Sequence, residues 1–142
     1  KNYDFVILDI GRRMDAVSIQ ALDKADMIFP VLQQTLPFIR DAKRRIDVFS
    51  SLGYHKDKLR PIVNRYDKKS QITLDDIQNT LKSQVFKSIP NNFSVVDESV
   101  NHGVPVFKLA PRSPIAKAIE DISSELSQNT EQQERWFKKL FS

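Results

Sequence analysis

Phe5-Val6-Ile7-Leu8-Asp9-Ile10-Gly11-Arg12-Arg13 is the stretch on which the reading of this chain turns. Four apolar residues ending in an acid predict a buried parallel strand over residues 5–9, because a strand covered on both faces has no need to alternate apolar with polar side chains. Such a strand carries its terminal carboxylate to the edge of the sheet where open α/β folds keep their ligand crevices. The chain holds only three glycines, Gly11, Gly53 and Gly103. No glycine-rich phosphate loop can be assembled from them. The acidic half of a possible ligand site is therefore present without the half that would cradle phosphates.

Outward from this stretch, three further strands are predicted at βαβ spacing, over residues 27–32, 59–64 and 85–89. Between the first two strands, Asp15 caps a helix over 16–25 whose Val17, Ala21, Leu22 and Ala25 form one apolar stripe. The next helix opens at Thr35, with Pro37 in its first turn. Leu36, Ile39, Ala42, Ile46, Phe49 and Leu52 run down one face, and Gly53 provides a left-handed stop. Its opposite face carries Arg40, Lys43, Arg44 and Asp47. A third helix opens with Thr73-Leu74-Asp75-Asp76, a hydroxyl cap followed by two acids at the favourable end of the helix dipole. Pro90-Asn91-Asn92 is a turn, a short helix spans 94–100, and Ser113-Pro114 opens a last helix with Ile115, Ile119, Ile122 and Leu126 at spacings of four, three and four. The expected fold is α/β: a three-layer, doubly wound, mainly parallel sheet with right-handed crossovers. One edge is left open beside residues 5–9 unless further chain or a partner covers it.

The chain has 142 residues, 40% hydrophobic and 28% charged, enough for one domain with its own core. It contains no cysteine, which removes disulfides and thiolate metal sites. No apolar run is long enough to span a bilayer, and the opening residues are not a secretory signal. The first residue is Lys1 rather than Met, as expected of a piece or a processed product. A net charge of +4 is spread along the chain, with basic clusters at 40–45, 56–60 and 135–139 that read first as solvated helix faces and turns. His55 and His102 are isolated from any second ligand at metal spacing, and no nucleophile has a base neighbour, so no catalytic residue is assigned.

With these residues in order, the chain resembles the C-terminal half of a P-loop ATPase of the MinD/ParA superfamily, and within it the CpaE/TadZ branch of tight-adherence (Flp) pilus assembly. Five stretches carry the resemblance. They are Leu8-Asp9-Ile10-Gly11-Arg12-Arg13, Ala25-Asp26-Met27-Ile28-Phe29-Pro30-Val31, Arg40-Asp41-Ala42-Lys43-Arg44, Val63-Asn64-Arg65, and the run from Gly103 to Ile119. The resemblance implies a partial P-loop NTPase fold lacking the Walker A half, with residues 1–127 as the C-terminal half of the ATPase domain and 128–142 as an amphipathic tail helix. It implies ATP and Mg2+ as ligands of the intact parent, with neither expected to bind tightly to this chain alone, and hydrolysis is not expected of the isolated chain. The function implied is an ATPase-like protein that positions or assembles Flp/type IV-like pilus secretion machinery at the membrane. Two alternatives stand beside it: a non-catalytic interaction scaffold of the same machinery, and a ParA-like DNA segregation ATPase. The implied partners are pilus assembly and secretion proteins and a second copy in a homodimer, with nucleic acid not expected. The implied location is the cytoplasm with peripheral contact to the inner membrane.

Carried over by residue, the resemblance gives Asp9 the water shell of the metal and places Gly11, Arg12 and Arg13 in the segment that senses the third phosphate. It makes Asn64 the reader of the adenine, flanked by Arg65, Pro90 and Asn91. Magnesium prefers hard oxygen ligands, and a carboxamide offers a donor and an acceptor at once. From the residues alone each has an equal or commoner plain role. Asp9 can cap the following helix, Asn64 can form a turn, and Arg12 and Arg13 can be solvated charges. The switch prolines usual in MinD and ParA relatives are replaced here by Gly11-Arg12-Arg13.

In the tail, Trp136, Phe137, Leu140 and Phe141 fall in one arc of a helical wheel, with Arg135, Lys138 and Lys139 opposite. Such a helix can lie in an anionic membrane interface through Trp136, Phe137, Lys138, Lys139, Leu140 and Phe141, or it can dock Trp136 onto the domain.

Overall fold

Three parallel strands, β1 (Val31–Gln33), β2 (Ile62–Tyr66) and β3 (Lys87–Pro90), lie side by side in that order in the computed structural model. The structure describes residues 3–11 and 13–140, with side chains through residue 128. Arg12 and Phe141, and the side chains of Trp136, Phe137, Lys138, Lys139 and Leu140, lie outside the described residues. The helices are α1 (Ala16–Lys24), α2 (Leu36–Ser51), α3 (Leu74–Leu81), α4 (Phe93–His102), α5 (Val106–Leu109) and α6 (Pro114–Leu140).

The alternation of strand side chains sorts the layers. Leu32 and Val63, directly paired across β1 and β2, are closed off from solvent by α2 and α3. Ile39, Ala42, Ile46 and Phe49 of α2 and Ile77 and Leu81 of α3 complete that core, with Leu22 of α1 at its margin. Ile62, one residue from Val63, faces the other way and is buried outside this cluster. On that second face α6 packs against β3 and buries Ile115 and Ala116. The sheet is thus covered on both faces, as a doubly wound α/β fold requires.

Residues 5–8 do not form the predicted strand. They take no regular secondary structure, pair with no strand among the described residues, and expose Phe5, Val6, Ile7 and Leu8 at 50, 74, 91 and 56%. A strand is completed by a neighbour's backbone, and none of the described residues pairs with this segment. Only Ile10, just beyond it, packs against the core. The outer edge of β1 is likewise open, with Val31 61% exposed.

The second strand is also shorter than the predicted 27–32. Its ladder makes a single bridge, Ile28 to Leu59, and then restarts at Val31 and Ile62. Pro30 and Pro61 sit at the gap, and neither has an N–H to donate across it. Both carbonyls are still used, by Ile62 N–H at 3.0 Å and Phe86 N–H at 2.7 Å.

Helix ends follow the sequence signals more closely. Asp15 accepts from Ser18 N–H at 2.8 Å, and Thr73 with Asp76 closes a full capping box. Gly53 and Gly103 take positive φ at +83° and +63° where α2 and α4 stop. Thr35 has extended backbone but makes no side-chain cap bond, leaving Pro37 in the first turn as the working start signal. Two apolar stripes are narrower than expected. Val17 is exposed on α1, and Leu36 and Leu52 are exposed at the two ends of α2, beyond the sheet that buries its middle. α6 runs without a break past residue 128 to Leu140.

Candidate functional site

All three strands point the same way, so their carboxyl ends share one edge, where a crevice belongs in this architecture. Asn64 and Arg65 sit there inside a bulge. Val63 pairs with Ser88 and Tyr66 with Pro90, so β2 spends one more residue than β3 over this interval. The bulge is made by Arg65, whose φ of +54° is left-handed and unusual for a side chain branching from a normal Cβ. Asn64 supports it locally, its Oδ1 accepting Arg65 N–H at 2.9 Å. That contact orients the carboxamide so that its NH2 remains for another acceptor.

Pro90 ends β3, and Asn91 N–H donates to Tyr66 O at 3.0 Å. Asn64, Arg65, Pro90 and Asn91 are therefore gathered on one rim through Tyr66. Asp9, Gly11 and Arg13 are exposed, ahead of α1. No hydrogen bond or ion pair joins Asp9 to another described residue, nor Arg13 to the rim. A Cβ added at Gly11 meets no atom within 4 Å, so nothing among the described residues demands glycine there. The residues named from the sequence thus fall into two groups, with no hydrogen bond or ion pair between them among the described residues.

Two residues that sequence reading passed over complete the rim. Gln34, just after β1, accepts Asp67 N–H on Oε1 at 2.9 Å and donates from Nε2 to Ile72 O. Asp67 in turn closes an Asx turn, its Oδ1 accepting Lys69 N–H at 2.8 Å. The run Asp67-Lys68-Lys69-Ser70 carried that turn signal, whereas nothing local marks Gln34, whose partners lie 33 and 38 residues away.

Elsewhere, the basic cluster of α2 is partly neutralised along its own helix. Arg45 pairs with Asp41 at 3.0 Å, and Lys43 pairs with Asp47. Among the described residues no three His, Asp or Glu side chains converge in a metal-binding group, and no helix is long and apolar enough to cross a membrane. His55 is exposed beside Asp57, and His102 Nδ1 contacts its own helix at Glu98 O.

No family model matches the chain. It is 29% identical over 127 residues to the septum site-determining protein MinD of Thermotoga maritima, covering 86% of this chain and 46% of that protein. Among solved structures it resembles a ParA family ATPase from Chlorobium tepidum, at 30% identity and a TM-score of 0.78, over 84% of this chain and 49% of the other. It also superposes on MinD of Pyrococcus horikoshii, solved with Mg-ADP, at 22% identity and a TM-score of 0.72, covering 88% and 51% of the two chains. The fold is that of the MinD/ParA-like P-loop ATPases, and the chain spans about half the length of the relatives it matches.

Proposed function

We propose that this chain is the C-terminal half of a CpaE/TadZ-type, ATPase-like protein that positions or assembles tight-adherence pilus secretion machinery at the inner membrane, acting as a homodimer. The observation that carries the reading is residues 5–8. They are apolar toward both faces yet exposed and, among the described residues, unpaired; they lead into Asp9, which no described residue engages, and they belong to a chain half as long as its relatives. An apolar run suited to an interior strand, yet paired with none of the described residues, supports the view that chain outside this sequence completes both the sheet and the site. The order and spacing of the five stretches that resemble the CpaE/TadZ branch support the pilus assignment.

In the complete protein Asp9 would hold the water shell of Mg2+, a fit for a free carboxylate that no described residue engages. Asn64, Arg65, Pro90 and Asn91 would contact the adenine, and Gly11, Arg12 and Arg13 would face the third phosphate. The phosphate cradle comes from outside this chain. Nucleotide binding by the complete protein, compared with Asp9→Ala, tests the site. Loss of the Mg2+-dependent part of ATP affinity is expected, and unchanged affinity would sink it. Deleting the gene and counting assembled pili tests the assignment, with normal piliation as the refuting result.

A scaffold without catalysis is the second reading, favoured by Gly11-Arg12-Arg13 standing where switch prolines are usual. A phosphate-loop lysine in the other half separates the two. The DNA segregation reading is weakened by the acid partners of Lys43 and Arg45, and steep salt-dependent DNA binding by the complete protein would restore it. For the tail, removal of residues 130–142 is expected to abolish pelleting with anionic liposomes, and unchanged pelleting refutes the membrane role.

A further inference from the structure

We propose that Gln34 is a positioning residue that sets the base selectivity of the nucleotide site by clamping the loop over residues 67–72. The proposal rests on the reading of the carboxyl-edge rim as that site.

Gln34 bridges two backbone groups that bracket the loop, taking Asp67 N–H on Oε1 and giving Nε2–H to Ile72 O. Between these two points the loop closes on itself. Ser70 N–H reaches Asp67 O at 3.2 Å, Lys69 N–H reaches Asp67 Oδ1 at 2.8 Å, and Ile72 N–H reaches Ser70 Oγ at 3.2 Å. Ile72 is itself packed against the main core. The clamp therefore ties a self-braced loop to both the first strand and the interior.

What the clamp holds lies immediately before the loop. Arg65 is in the left-handed region, a conformation that persists in a non-glycine residue only when its surroundings over-determine it. Asn64 Oδ1 grips the Arg65 N–H from one side, and Gln34 grips the Asp67 N–H from the other. Between them, Tyr66 O accepts from Asn91 N–H. The direction of the Asn64 carboxamide thus depends on a peptide path fixed at both ends.

That direction matters because adenine and guanine present opposite donor and acceptor patterns on their pairing edges. A carboxamide free to turn over can satisfy either base, whereas one held in a single orientation discriminates. The chemistry also restricts what can stand at position 34. One end must accept and the other donate, which a carboxamide does and a carboxylate does not. Glutamate would set an oxygen against Ile72 O. Alanine would leave both backbone groups without this partner.

The test measures ATP and GTP affinity of the complete protein in Mg2+ by titration calorimetry, for wild type, Gln34→Ala and the near-isosteric Gln34→Glu. Wild type is expected to prefer ATP, and both variants to lose that preference by roughly 5- to 30-fold, the effect of one or two hydrogen bonds. Gln34→Glu keeps the size of the side chain and carries the test if Gln34→Ala fails to fold. A preference that is unchanged, or a loss that falls equally on both nucleotides, overturns the proposal, since a general weakening of the fold would not alter the ratio. A wild type that binds neither nucleotide, or both alike, overturns the base-site reading itself, and the proposal falls with it.

Discussion

Truncating Ile7 to alanine should have very unequal consequences in this chain and in the complete protein. Ile7 is 91% exposed here, so about a tenth at most of its side-chain transfer free energy is engaged. Full burial of an isoleucine is worth about 1.5–3 kcal/mol, which leaves at most roughly 0.1–0.3 kcal/mol at stake in the 142-residue chain. If residues 5–8 are an interior strand of the complete protein, the same change opens a cavity and costs about 2–5 kcal/mol. Ile77→Ala is the control, because Ile77 is fully closed off within this chain and should cost about 2–5 kcal/mol in both settings. Urea unfolding of the six proteins, with midpoints and slopes compared, reads the difference directly. Equal effects of Ile7→Ala in the two settings would refute the argument that outside chain buries this segment.

Four further outcomes follow from the local chemistry. Thr73→Ala removes the capping hydroxyl of α3 and should cost about 1 kcal/mol by thermal or urea unfolding. The Thr73 backbone and hydroxyl bonds hold the Asp76 carboxyl below its ordinary 3.8. Its contribution is present above that value and fades as pH falls through the lower folded pKa, so an acid titration of stability should flatten in Asp76→Asn and not in wild type. Tyr54 is pushed up to about 12 by desolvation and by its bond to the Asp23 carboxylate. The phenol is favoured in the fold, so its contribution is complete below pH 10 and is lost as pH rises toward 12. Absorbance titration of the phenolate should show one late tyrosine that disappears in Tyr54→Phe. Lys82 closes α3 in the left-handed region at φ +52°. Lys82→Gly should stabilise by about 1 kcal/mol, and a loss of stability would show that its side chain contributes more than its backbone strain costs.

The sequence read alone is most accurate where the determinant is local. The Asp15 cap, the capping box at Thr73 and the glycine stops at Gly53 and Gly103 all depend on residues within one turn of the element they end. The apolar spacing of Ile39, Ala42, Ile46 and Phe49 defines a buried face because helical periodicity is itself local. The α/β class follows from alternating such helices with short apolar runs.

Pairing and burial were settled by three-dimensional structure instead. The apolar run at residues 5–8 looked the same as a paired strand, but a ladder needs a neighbouring backbone and none of the described residues provides one. The prolines at 30 and 61 shortened β1 only because they fall opposite one another across the sheet. The left-handed Arg65 and the clamp by Gln34 were invisible for the same reason. The clamp joins Gln34 to residues 33 and 38 positions away, and the bulge at Arg65 is set by register against β3, so neither is sampled by periodicity and capping rules.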